Sequence, residues 1–127
     1  MTETVHLDTN ALIGALVAGS ADDARLRGWL AKGRSLAMSS IAWTEFLCGP
    51  ALGEGGQSAA RLIAEVVPFE ADDADAATRL FNATGRRRGS LVDCMVAATA
   101  IRRGAPLATG DTADFERFAD HGLRLAR

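Results

Sequence analysis

The feature that most constrains the fold is a regular alternation of short apolar runs with longer stretches of helical periodicity. The apolar runs predict strands over residues 5–7, 35–38, 66–69, 107–109 and 123–125. Helices are predicted between them, over residues 10–17, 21–32, 41–49, 59–65, 71–84, 90–103 and 111–119. A glycine-rich segment at residues 51–58 is predicted to be a surface loop. This alternation is typical of a three-layer α/β domain, with a mainly parallel central sheet of four to five strands flanked by helices.

The size and composition of the chain fit a single domain spanning residues 1–127. With 127 residues, 48% of them hydrophobic, the chain can bury a substantial core without disulfides or a structural metal. Its formal net charge of -2 gives no overall attraction for nucleic acid. A polyanionic ligand would therefore need a local basic patch or bound cations.

The cysteines and the N-terminal segment indicate a cytoplasmic protein. Cys48 and Cys94 form no CxxC pair and have no histidine cluster near them in the sequence, which argues against a zinc site and a secreted disulfide framework. The N-terminus lacks the pattern of a signal peptide, and no apolar run is long enough to span a bilayer. We therefore expect a soluble cytoplasmic protein that does not associate with membranes.

Acidic residues occupy positions where a parallel sheet would form a site. Ligands of such sheets bind beyond the carboxyl ends of the strands. Asp8 directly follows the first predicted strand, and Asp111 and Asp114 follow the fourth. Glu45 lies on the stripe that its helix is expected to bury, and Asp93 interrupts an almost wholly apolar helix.

Each of these acids also has a purely structural interpretation. Asp8 can cap the helix that follows it, Glu45 can form a salt bridge, and an acid after the fourth strand can cap the last helix. Ser90 and Asp93 resemble a capping box, in which each residue bonds the backbone of the other. A first-turn acid can nevertheless both stabilise its helix and face a site.

Taken together, the acids indicate a metal site. Asp8, Glu45, Asp93 and Asp111 are expected to meet at one sheet edge, where they would repel one another unless divalent cations bound there. Oxygen-only ligands favour Mg²⁺ or Mn²⁺. Such a cluster can activate water and neutralise charge on a phosphate. The pattern therefore indicates hydrolysis of phosphodiester bonds.

Four motifs recur in a familiar order along essentially the whole chain: LDTN, TE, VDCMVAATA and LATGDTADF. In this order and spacing the chain resembles the PIN-domain nucleases, which have a Rossmann-like fold, and within them the VapC toxins of type II toxin–antitoxin systems. The resemblance implies that Asp8, Glu45 and Asp93 are catalytic, metal-binding acids and that Asp111 is the fourth. Asp114 is the alternative, because many members have asparagine at the position of Asp111.

The same resemblance implies supporting residues, a reaction and partners. Thr9, Asn10 and Thr109 match polar positions that line the family's site and orient carboxylates or hold water. The implied activity is that of a Mg²⁺- or Mn²⁺-dependent endoribonuclease, in which activated water leaves a 5′-phosphate and a 3′-hydroxyl. The implied partners are an RNA substrate, a VapB-type antitoxin and a second copy of the chain in a homodimer. The alternative is a non-catalytic PIN-like module that binds RNA or protein.

Two further features bear on binding. Arg86, Arg87 and Arg88 immediately precede the helix of Asp93, so they are predicted to contact RNA phosphates, although a solvated loop would give the same pattern. Trp29 and Trp43 belong to helices with other bulky residues. They are interpreted as mostly core, with room for an exposed groove that could receive an antitoxin helix.

Overall fold

The computed structural model describes residues 3–49 and 54–127. Within them a sheet of four parallel strands has the order β3-β2-β1-β4. The strands are β1 (Val5–Leu7), β2 (Leu36–Ser39), β3 (Glu65–Val67) and β4 (Leu107–Ala108). His6 in β1 pairs with Ala37 on one side and with Leu107 on the other. The predicted parallel α/β sheet is therefore confirmed.

Helices flank this sheet. They are α1 (Thr9–Ala15), α2 (Ala21–Ala31), α3 (Ser40–Cys48), α4 (Glu54–Ala60), α5 (Ala71–Ala83), α6 (Leu91–Arg102) and α7 (Thr112–Glu116), followed by a short 3₁₀ helix (Ala119–His121). Each described helix is too short or too polar to cross a membrane.

The core is built around β1, β2 and α6. Every residue of both strands is buried, and α6 buries five consecutive residues, from Val96 to Ala100. A helix buried on nearly all sides must be apolar all round, which explains its run of alanine and valine. α6 packs against α5, α3 and β2. Its predicted central position is therefore confirmed, and Asp93 in its first turn stands at the rim of the core.

The strand order places a crevice between β1 and β4. From β1 the chain adds β2 and then β3 on one side of the sheet, whereas β4 returns to the other side of β1. Connections leaving these two strands diverge, which opens a ligand-binding crevice beyond their carboxyl ends. Asp8 is the first residue after β1, and Thr109 is the first after β4.

Several predicted boundaries are wrong. The predicted loop at 51–58 contains most of α4, while residues 51–53 lie outside the described part of the chain. The helix predicted at 59–65 ends at Ala60, since Glu65 already pairs with β2. The third strand ends at Val67, because Pro68 has no N–H to continue the ladder.

The end of the chain also differs from its prediction. The helix predicted at 111–119 is split into α7 and the 3₁₀ helix. The predicted fifth strand is reduced to one parallel bridge between Leu107 and Leu125. Its two backbone hydrogen bonds both involve Leu107, from Leu107 N–H to Arg124 O and from Ala126 N–H to Leu107 O. β4 has only two residues, so it offers too little edge for a longer pairing.

Candidate active site

A cavity of about 160 Å³ lies at the carboxyl ends of β1 and β4. Its lining contains all four predicted acids, the alternative acid and two of the three predicted polar residues, together with two apolar side chains: Asp8, Thr9, Asn10, Glu45, Asp93, Val96, Asp111, Asp114 and Phe115. The structure thus brings together acids up to 106 positions apart in the sequence, Asp8 and Asp114, because β1 and β4 are neighbours in the sheet. We call this space the acidic cavity.

Asp8 is buried at the base of the acidic cavity and also caps α1. Its Oδ1 accepts the backbone N–H of Ala11 at 2.7 Å, and its Oδ2 accepts the hydroxyl of Thr109 at 2.5 Å. Burial raises the pKa of Asp8 to about 6; the bonds from Thr109 and Ala11 oppose this rise, and the negative charges of Asp93 and Glu45 add to it. Asp8 therefore both caps α1 and lines the acidic cavity.

Thr109 connects two of the acids. Its hydroxyl donates to Asp8 and accepts the backbone N–H of Asp111 at 2.9 Å. This pair of bonds fixes the orientation of the Asp8 carboxylate relative to the start of the segment that carries Asp111. Thr109 is buried, so the link is shielded from water. Its predicted contribution, orienting a carboxylate, is consistent with this geometry.

Glu45 is exposed, and the prediction that its helix would bury it is wrong. Ala42 and Phe46 occupy the buried face of α3 instead. The carboxylate of Glu45 lies 3.0 Å from the Thr9 hydroxyl, which is also 3.0 Å from the carbonyl oxygen of Ala42. A hydroxyl has one hydrogen, so Thr9 shares its donation between these two acceptors. Within residues 3–49 and 54–127 no basic side chain forms an ion pair with Glu45, and the Thr9 hydroxyl restrains its carboxylate instead.

Asp93 is half-buried in the first turn of α6. The predicted capping box is absent, because the Ser90 hydroxyl donates to the carbonyl of Arg87 at 2.7 Å rather than accepting from the helix. Burial raises the pKa of Asp93, and the nearby acids, including Glu45, raise it further. The positive charge of Arg117, 3.8 Å from Asp93, opposes the rise. Asp93 is thus free of a capping role and available to the cavity.

Asp111 and Asp114 both line the cavity, so both sequence alternatives for the fourth acid remain. Asp111 stands at the N-terminus of α7 but makes no capping hydrogen bond with its side chain. Its pKa is raised, first by a side-chain hydrogen bond with Asp114 and also by burial. Two carboxyl groups that interact in this way retain a proton more readily than an isolated acid. The pair therefore adds two interacting carboxyl groups to the lining of the cavity.

Arg117 is a basic residue beside Asp93 that was not predicted from the sequence. Its Nη2 lies 3.8 Å from Asp93 Oδ2, and its guanidinium lies over the ring of Phe118, 4.6 Å from the centroid. The spacing could have indicated it, since Arg117 follows Asp114 by three residues and such pairs share a helix face.

The arginine run lies outside the acidic cavity. None of Arg86, Arg87 and Arg88 lines it, and all three are exposed. The Arg86 guanidinium stacks over Phe81 at 5.2 Å and donates to the side chain of Asn82. Contact between this loop and RNA stays a prediction.

The donor set of the acidic cavity suits a hard cation. Among the residues described, no three acidic, histidine or cysteine side chains are arranged as a ready metal site, so binding an ion would require carboxylates to rotate toward it. The cavity nevertheless offers only oxygen donors, the ligands that Mg²⁺ and Mn²⁺ prefer. Burial first, and neighbouring acids second, raise the pKa of Asp8 and of Asp93, while the hydrogen bond with Asp114 raises the pKa of Asp111, so the ionised form of each acid is disfavoured in the cavity. A bound cation would favour the ionised forms.

Solved structures with the same fold cover nearly the whole chain. DNA-bound VapBC from Salmonella typhimurium contains a chain 21% identical, with a TM-score of 0.72 and 98% of each chain covered. FitAcB from Neisseria gonorrhoeae contains one 25% identical, with a TM-score of 0.72 and coverage of 98% of this chain and 97% of that one.

A third similar structure is VapC20 from Mycobacterium tuberculosis, described as a toxin that cleaves the sarcin–ricin loop. It is 23% identical, with a TM-score of 0.65 and coverage of 98% of this chain and 99% of that one. No curated protein sequence matches the chain. The family model of the PIN domain matches residues 5–121, which include every acid of the cavity. The chain therefore belongs to the PIN domain family.

Proposed function

We propose that the protein is the toxin component of a type II toxin–antitoxin system and acts as a Mg²⁺- or Mn²⁺-dependent endoribonuclease. The observation that carries this proposal is the acidic cavity itself. Its acids come from the exit of β1, from α3, from α6 and from the segment after β4, and they line one space at the switch point of the sheet. Acids that merely capped helices would have no reason to converge.

In this proposal Asp8, Glu45, Asp93 and Asp111 hold the cation, with Asp114 beside Asp111. When bound, the cation supplies positive charge that activates water and stabilises the negative charge developing on the phosphate. Thr109 holds Asp8 in one orientation through its hydroxyl, and Thr9 restrains Glu45. Such hydrogen bonds keep metal-binding carboxylates in place and so support both affinity and rate.

The substrate is proposed to be RNA held partly by basic residues away from the acids. Arg86, Arg87 and Arg88 are exposed just before α6, the helix that carries Asp93. Phosphates that flank the cleaved bond could therefore contact the loop while the cleaved phosphate enters the cavity.

An antitoxin is the proposed inhibitory partner. The two tryptophans do not supply the groove for it, because Trp29 is buried and Trp43 half-buried. A different groove of about 210 Å³ has apolar walls from α1, α2 and the segment after α4, with Leu30 and Leu62 exposed in it. Such a surface fits the apolar face of a helix. Two similar structures are described as VapBC and FitAcB assemblies, which supports a VapB-type partner.

The proposal is tested by RNA cleavage with purified protein. We expect cleavage of RNA with Mg²⁺ or Mn²⁺, none in EDTA, and recovery when the metal is restored. Asp93→Asn should lower the rate on the order of a thousandfold, because a lost charge at the cation costs several kcal/mol of transition-state stabilisation. Asp120→Asn, at an exposed acid outside the cavity, is the matched control and should leave the rate unchanged.

Two outcomes would contradict this proposal. Undiminished cleavage by Asp93→Asn would remove the acidic cavity from the reaction. RNA binding without cleavage under any metal condition would instead favour the non-catalytic binding module.

A further inference from the structure

Arg117 has a contact pattern that ordinary ion pairing does not explain. Only 16% of its side chain is exposed, and its Nη2 lies 3.8 Å from Asp93 Oδ2, too far for a hydrogen bond. Its Nε and Nη2 are buried and have no hydrogen-bond partner among the described residues. Leaving such donors unsatisfied is costly, so the position of this guanidinium calls for a compensating interaction.

Two interactions hold the guanidinium there. The ring of Phe118 lies 4.6 Å below it, and Phe118 itself is fully buried, so the ring cannot move away. The carboxylates of the acidic cavity provide the second, since an arginine stays charged at all physiological pH values. Packing thus fixes one positive charge beside Asp93.

A direct contact of Nε or Nη2 with RNA phosphate does not account for these groups, because both nitrogen atoms are buried. The positive charge of Arg117 beside Asp93 instead acts electrostatically on an ion bound in the acidic cavity. It attracts Asp93 and repels a cation bound to the same carboxylate, and in a partly buried site such forces are weakly screened.

We propose that Arg117 is a built-in counter-cation of the acidic cavity: it competes with the divalent ion for Asp93, lowers the affinity of the cavity for that ion and limits it to one. This rests on the proposed metal-dependent function. Arg117 is a positioning residue in this scheme, because it acts through Asp93 and does not touch the substrate. A purely structural arginine would have the opposite signature, since its removal would loosen the site and weaken metal binding.

The test measures Mn²⁺ binding to the full chain without RNA. Calorimetry gives the affinity, and electron paramagnetic resonance gives the number of bound ions. We expect Arg117→Met to bind the first Mn²⁺ about tenfold more tightly than the wild type and to take up a second ion, since a repelling charge has been removed. Arg117→Lys, which keeps the charge, should retain the wild-type affinity and one ion.

Arg34→Met is the matched control. The side chain of Arg34 is 17% exposed, close to the 16% of Arg117, and its guanidinium lies 5.9 Å from the Trp29 ring centroid. Its ion-pair partner, however, is Glu3, which does not line the acidic cavity. Its replacement should leave Mn²⁺ affinity unchanged.

Unchanged or weaker Mn²⁺ binding by a folded Arg117→Met protein would overturn the inference, with near-ultraviolet circular dichroism establishing that the variant is folded. If the Arg117→Met variant does not fold, the number of Mn²⁺ ions bound by the wild type is the test. One bound ion supports the inference, and two overturn it. Absence of any Mn²⁺ binding by the wild type would overturn the proposed function as well. Metal-dependent RNA cleavage with unaltered binding by Arg117→Met would overturn this inference alone.

Discussion

Asp73 and Asp8 are both buried aspartates, yet the groups around Asp73 stabilise its negative charge and those around Asp8 destabilise it. Asp73 in α5 is fully buried and accepts hydrogen bonds from Arg102 Nε at 2.6 Å and Nη2 at 3.0 Å. The backbone N–H of Glu70 and the hydroxyl of Thr99 each donate at 3.1 Å. Burial alone would raise the pKa of Asp73, but these donors outweigh it and the pKa lies below its usual value.

Asp8 is nearly as well buried, at 5% exposed, but no cationic group of the described residues lies at hydrogen-bonding distance from it. Two neutral donors contact it and other acids surround it, so its pKa rises to about 6. Charge on Asp73 therefore stabilises the fold, whereas charge on Asp8 opposes it. The comparison teaches that burial does not distinguish a structural acid from a site acid; the charge of its partner does.

The largest expected effect comes from breaking the structural pair. Asp73→Asn should lower the free energy of unfolding by about 3 kcal/mol, because Arg102 loses the carboxylate that it contacts at 2.6 Å and keeps the more distant carboxylate of Glu70 at 3.6 Å, while three-quarters of its side chain stays buried. Urea unfolding measures this loss, and Asp72→Asn, at the exposed neighbour, is the control. The rate of RNA cleavage per folded molecule should be unaffected. A loss below 1 kcal/mol would show that the pair contributes little.

A smaller effect of opposite sign is expected for the site acid. Asp8→Asn should raise the free energy of unfolding by about 2 kcal/mol at pH 8 in EDTA, since asparagine keeps the helix cap without the buried charge. The pKa of Asp8 is higher in the folded protein, so its protonated form favours folding. This contribution is complete below pH 3.8 and is lost as the pH rises through about 6.

The stability difference between wild type and Asp8→Asn should therefore grow from pH 4 to pH 7 and then level off. Asp73 should behave in the reverse sense, because its pKa is lowered in the folded state: its stabilisation is present above the unfolded-state pKa and is lost as the pH falls through the folded one. Chemical denaturation from pH 4 to pH 8 measures the Asp8 difference, and denaturation below pH 3.8 measures the loss for Asp73. A flat Asp8→Asn difference would mean that its charge is already compensated.

The smallest expected effect concerns the hydroxyl that orients Asp8. Thr109→Val keeps the shape of the side chain and removes the hydrogen bond to the carboxylate. Metal-dependent RNA cleavage should fall about tenfold, as is usual when a residue that orients a metal ligand is lost. Thr78→Val is the control, because Thr78 is exposed and its hydroxyl donates to the carbonyl of Ala74 in its own helix, away from the acidic cavity. Equal rates for both variants would contradict an orienting function for Thr109.

The sequence predicted the fold well because the relevant signals are local. Alternating strands and helices define a parallel sheet. The residue that follows a strand lies at the carboxyl-end edge of that sheet, whatever the position of the strand in the strand order. That reasoning identified Asp8, Thr109 and Asp111. It was less accurate for Glu45, since a stripe inferred from spacing does not say how the helix is rotated; α3 turns Ala42 and Phe46 inward and leaves Glu45 at the cavity.

By itself, the sequence determined the order of the elements, the positions of the acids at the ends of strands and helices, and the family pattern that joins them. Only the tertiary structure decided which acids receive a positive partner. Asp73 pairs with Arg102, 29 residues away, and Arg117 approaches Asp93 from the residue that follows α7. The physical reason is that such pairs depend on the packing and rotation of whole helices, which no local pattern of residues encodes.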